Sequence, residues 1–154
     1  MFLLDRNIFL GKKLILSTLL DKSINIFKNK LDYNPIFFSY PFGEYNLEQK
    51  NYINQKFDYA FGQHSGVIDL NKDKYELPRF PINEKYGDLK RFEFLINLLP
   101  LQYKNILPEE KHIESINNPP KMVVEFFNEQ KNLSKINCFS NEGGKWDKPD
   151  ITLN

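Results

Sequence analysis

The stretch Phe37-Phe38-Ser39-Tyr40-Pro41-Phe42-Gly43-Glu44-Tyr45 is an apolar run of strand length that stops abruptly at Pro41 and Gly43. Aromatic rings and the Glu44 carboxylate flank the stop. In α/β proteins, ligands meet parallel strands at their C-terminal ends, so chemistry is expected beside such a break.

Before this stretch, Leu16, Leu20, Ile24, Phe27 and Leu31 recur every three or four residues, which predicts one stripe of an amphipathic helix. Asn34-Pro35 ends it, because the residue before proline is pushed out of the helical region. After the stretch, Asn46 followed by Gln49 has the spacing of a capping box and predicts a helix from 47 to 57. Tyr59-Ala60-Phe61 then reads as a second strand, running into the loop Gly62-Gln63-His64-Ser65-Gly66. The right-handed crossover rule predicts that the strands ending at Tyr40 and Phe61 are adjacent and parallel.

Asp69 to Lys74 is polar turn material, and Glu76 to Ile82 reads as extended. Pro78 and Pro81 confine that segment to an edge or a strand end. Leu89, Phe92, Ile96 and Leu99 mark a further helix after Asp88, closed by Pro100. The alternation is that of an α/β unit. Residues 101–119 then read as a linker, and 120–154 as the opening of a β-rich unit. Its candidate strands are Met122–Phe127, where a helix starting at Pro120 is the alternative, and Ile136–Phe139, followed by turn chemistry at Asn141–Lys145.

Composition narrows the function classes. At 154 residues the chain can bury one core, but a complete (β/α) barrel needs more than ~200 residues. Twenty-one Lys and Arg against twenty Asp and Glu leave a net charge of +1, which argues against a nucleic-acid binder driven by a basic surface. Asp5, Arg6, Lys12 and Lys13 interrupt the apolar start, so no stretch approaches the ~18 apolar residues of a membrane span. Leu14–Leu20 is followed by Asp21 and Lys22 instead of a small-residue cleavage site, against a signal peptide. Cys138 is the single cysteine, so no intrachain disulfide forms and the compartment stays open.

Tyr40-Pro41-Phe42-Gly43 resembles the Tyr-Pro-Phe-Gly signature of the polysaccharide deacetylases, metal-dependent hydrolases of acetamido groups on sugars. The resemblance covers about residues 12 to 100 and implies an α/β fold: the C-terminal part of a deacetylase-like (β/α) barrel, cut at both ends. It implies that Tyr40 and Phe42 form aromatic walls of a groove, that Pro41 shapes the backbone beside the substrate, and that Gly43 allows a tight exit. The substrate would be an acetylated amino-sugar polysaccharide. Leu77-Pro78-Arg79 resembles a later segment that presents an arginine towards the site, where Arg79 would orient a catalytic carboxylate or else lie on the surface. His64, in a loop after a strand, is placed to contact ligand. A Pro-Gly strand stop is also ordinary punctuation.

The family holds zinc or another divalent metal with an Asp and a His-x-x-x-His motif, and uses an adjacent Asp as base. None of these is in the chain: His64 and His112 are far apart, and no Asp-Asp pair exists. No metal ligand is therefore assigned, and the chain alone is expected to lack hydrolytic activity. The Asn137-Cys138-Phe139-Ser140 stretch with its Gly-rich turn resembles the accessory β domain of some family members. Two alternatives stay open: a non-catalytic carbohydrate-binding or scaffold protein of the same fold, and an unrelated small enzyme using carboxylates such as Glu44 and Asp69.

Overall fold

In a computed structural model of the chain, residues 13–127, 133–142 and 144–152 are described. Helix α1 (Lys13–Leu31) opens the described chain. Its half-buried positions include Leu20, Ile24 and Phe27 of the predicted stripe, and Leu20 and Ile24 pack on the core, but Leu31, at the last turn, is exposed. The Leu16 side chain lies outside the described residues. Asp32, with φ of 57°, turns the chain out of the helix.

Strand β1 (Phe37–Ser39) follows, then a 3-10 turn at Pro41–Gly43, helix α2 (Leu47–Ile53) and strand β2 (Tyr59–Phe61). β1 and β2 pair in parallel, Phe37 opposite Tyr59 and Ser39 opposite Phe61, as the crossover rule predicts. The capping box forms in full: the Asn46 side chain accepts from the Gln49 N–H at 2.8 Å, and Gln49 Oε1 accepts from the Asn46 N–H at 3.0 Å. α2 ends at Ile53, short of the expected 57, and a turn through 54–56 returns Phe57 to the interior.

The core is small and lies on one face of this pair. Tyr40, Tyr45, Ile53, Phe57 and Ala60 are buried together, with Leu20, Ile24, Phe38, Tyr52 and Tyr75 packed around them. Each large side chain so buried stabilises the fold by about 1.5–3 kcal/mol. Leu77 is also buried and bridges Phe61 in parallel, so the Pro-flanked segment adds an edge to β2, as its prolines require. The Ala60 and Gly62 N–H groups donate across this edge to Lys74 O and Leu77 O, both at 3.0 Å.

Helix α3 (Leu89–Ile96) starts where predicted, with Asp88 Oδ1 accepting from the Arg91 N–H at 2.9 Å, but it ends before the expected Leu99 and buries no residue. The stretch 101–119, read as a linker, contains strand β3 (Asn105–Leu107). β3 pairs antiparallel with β4 (Val123–Glu125), across the expected boundary. The strand expected at Ile136–Phe139 does not form there. β5 (Ser140–Glu142) begins after it and pairs antiparallel with β6 (Lys145–Asp147). The hydrogen bond from Gly144 N–H to Asn141 Oδ1, 3.1 Å, helps fix this later register. Cys138, within the stretch expected as a strand, is accordingly a half-buried thiol outside any strand. The strands form three separate two-stranded sheets, and no barrel closes among the described residues.

Candidate functional site

The parallel pair brings the predicted site segments to one end. Tyr40 N–H donates to Phe61 O at 3.0 Å, holding the end of β1 against β2. The chain then reverses over Pro41–Gly43, with Gly43 N–H donating to Tyr40 O at 3.0 Å and Glu44 N–H to Pro41 O at 3.2 Å. Phe42 and Gly43 both adopt left-handed backbone, φ 58° and 73°. Gly43 is required twice over. Its positive φ suits glycine, and a Cβ there would sit 2.6 Å from Gln63 Cβ and 2.7 Å from Gln63 N. The turn after β1 thus rests directly on the loop after β2.

That loop is tied in turn to the next segment, because Arg79 N–H donates to His64 O at 3.0 Å. A Cβ on Gly62 would meet His64 Nδ1 at 2.7 Å, so the imidazole folds back over its own loop. Packing around the ring lowers the His64 pKa below its ordinary 6.5. Glu76 opposes that shift and Lys111 adds to it. Tyr40–Gly43, Gln63–His64 and Arg79 therefore meet through their backbones at the strand ends.

Their side chains have different fates. Tyr40 is 1 % exposed and stacks on Tyr45, ring centroids 4.4 Å apart, so it is a core residue and presents no wall to a groove. The cause is strand alternation: Phe38 and Tyr40 share the face that α1 and α2 cover. Phe42 is 49 % exposed and is the aromatic that reaches solvent from the turn. Pro41 and Gly43 are half-buried beneath it. Arg79 is exposed and has no ion-pair partner among the described residues, so no carboxylate is oriented by it there. Asp69 accepts from Asn71 N–H at 2.9 Å and Gln102 Nε2 at 3.1 Å, which commits it to shaping its own turn. His112 is exposed.

A polar cluster that the sequence reading missed lies directly beneath. Lys50 is 7 % exposed, and its Nζ is 2.8 Å from Asp73 Oδ2 and 3.5 Å from Glu76 Oε2. The Tyr45 hydroxyl donates to the same Glu76 oxygen at 3.0 Å. The buried Tyr40 hydroxyl has no hydrogen-bond partner among the described residues. Burial pulls the Lys50 pKa down, but the two carboxylates outweigh it and hold it above the ordinary lysine value. Burial, reinforced by the nearby carboxylates, raises both tyrosines. This ammonium–carboxylate knot anchors the Asp73–Arg79 segment to α2. The sequence signal is faint: Lys50 looks like any lysine on a short helix, and its partners lie in a polar turn.

Among the described residues, no group of three His, Cys, Asp or Glu could hold a metal ion. His64 is influenced by Glu76, but Asp73 and Glu76 are engaged by Lys50. The residues present do not fit the zinc of the deacetylases. Also among the described residues, no helix is long and apolar enough to cross a membrane. No family model, curated protein or solved structure matches the chain, so the resemblance at Tyr40–Gly43 gains no support from them.

Proposed function

We propose that the chain forms part of the substrate-binding wall of a polysaccharide-deacetylase-type (β/α) barrel. In this reading it contacts an acetylated amino-sugar polymer at the ends of β1 and β2 and does not hydrolyse it alone. The observation that carries this is Phe42, a bulky aromatic held left-handed and half exposed at the end of a parallel strand. For a residue other than Gly or Asn this backbone costs about 1–2 kcal/mol. Glycine would make the same turn without that cost, so folding does not account for the ring. An exposed aromatic face can stack on the apolar face of a sugar ring, and His64 beside it offers hydrogen-bonding nitrogens.

Titration of the chain with N-acetylglucosamine oligomers by calorimetry tests this. Binding is expected to weaken about tenfold or more in Phe42→Gly, a loss worth at least ~1.4 kcal/mol. Phe42→Gly is also expected to unfold at higher urea than the parent, because the strain is released. No binding by the parent chain, or full binding by Phe42→Gly, would sink the proposal.

The reading has two forms, a divided enzyme completed by a metal-bearing segment and a non-catalytic binding protein. Incubation with zinc and the same oligomers should release no acetate from this chain. Fusing a segment that carries Asp-Asp and His-x-x-x-His ahead of it separates the two forms. Zinc-dependent deacetylation by the fusion supports a divided enzyme, and continued inactivity supports a binding protein.

A further inference from the structure

A groove of about 460 Å³ lies at the other end of the parallel pair, lined by Asp21, Ile24, Asn25, Asn34, Gln55 and Lys56. Asn34 precedes β1, and Gln55 and Lys56 precede β2, so the groove faces away from Phe42 and His64. The volume falls within the range of small-molecule sites. Its chemistry is specific. Lys56 Nζ lies 2.9 Å from Asp21 Oδ1, which puts a donor-only group beside an acceptor-only group. The Asn25 and Asn34 carboxamides make no side-chain hydrogen bond among the described residues. Gln55 donates its Nε2 to Asn51 O at 3.1 Å and keeps its carbonyl as an acceptor. Ile24 supplies an apolar patch backed by the core.

We infer that this groove binds a small neutral polyhydroxylated ligand, of the size of one hexose or cyclitol ring. The ion pair leaves the lining without net charge, which disfavours an anion. Adjacent donors and acceptors match hydroxyl groups, each of which both donates and accepts. Three carboxamides can bridge vicinal hydroxyls, and the Ile24 patch can meet a ring's apolar face. The Lys56 hydrogen bond, first among its causes, lowers the Asp21 pKa, and the same pairing raises Lys56, so both stay ionised across the neutral range. This inference does not depend on the strand-end reading.

The test is a two-dimensional NMR titration of the full chain with glucose and with myo-inositol, using glucuronate as the anionic control. Saturable shifts of the Asn25 and Asn34 side-chain amides are expected, with Kd on the order of a few mM for so few ligand atoms. Asn34→Ala, at an exposed position, should weaken binding about fivefold or more, whereas Ile116→Ala, at an exposed position outside both sites, should leave it unchanged. Three results would overturn the inference: no saturable shift up to about 100 mM of either neutral probe, shifts at Phe42 and His64 with none at Asn25 and Asn34, or tighter binding of glucuronate than of glucose.

Discussion

At Lys50, Tyr45 and Tyr40 the structure holds protons more tightly than an unfolded chain would. All three have raised pKa values: in Lys50 the carboxylates override burial, and in the tyrosines burial leads. The folded state therefore keeps protons that the unfolded chain gives up above the ordinary values of about 10 to 10.4. Stability from these groups is fully present below that window and falls as pH rises through it. Urea melts from pH 8 upwards should show a loss beginning near pH 10. The slope against pH should be shallower in Lys50→Met, which removes the titrating ammonium. Equal slopes would show that the cluster does not control alkaline unfolding. None of this was legible in the sequence. A lysine on a seven-residue helix reads as solvated, and only the meeting of α2 with Asp73 and Glu76 buries it. Tyr40 was misplaced for a related reason. A three-residue strand gives too little alternation to say which face is covered, and that choice belongs to α1 and α2.

At the scale of elements, local chemistry was the reliable guide. Asn46 with Gln49, and Asp88, start their helices because their side chains satisfy N–H groups within the same turn. The strand stop at Pro41-Phe42-Gly43 is local in the same sense. β3 was hidden because Asn105-Ile106-Leu107 is short, ends at a proline and forms only by pairing with Val123–Glu125. The strand expected at 136–139 moved to 140–142, where pairing with 145–147 is possible. The contact between the two loops at the strand ends leads to a sharp expectation for Gly43→Ala. The added methyl meets Gln63 backbone and side chain at the distances of a clash, on a residue already left-handed. A loss of about 2 kcal/mol or more is expected in chemical denaturation, combining backbone strain with displacement of the loop. A loss below ~0.5 kcal/mol, the usual size at an unconstrained surface site, would mean that the turn and the loop are not in contact.

Across the whole molecule, burial is uneven. Among the described residues, the buried apolar ones, Tyr40, Tyr45, Ile53, Phe57, Ala60 and Leu77, all precede residue 80. Beyond it α3 buries nothing, and Leu89, Ile96, Leu99 and Ile116 are exposed. Sparse apolar contact implies low local stability, so limited proteolysis under native conditions should cut first within residues 81–127. First cuts inside 36–61 would contradict this distribution. The alternation read from the sequence was enough to find the parallel pair, because strand, helix and strand there are consecutive. The same placement bears on how the chain is made. Each partner in the α1–β1–α2–β2 core, with Leu77, is synthesised before α3 and the strands β3 to β6. At ~5–20 residues per second the remainder takes several seconds, ample for a small core to assemble first. The later strands are then added to a folded platform, with the Phe42 turn in place before β5 and β6 leave the ribosome.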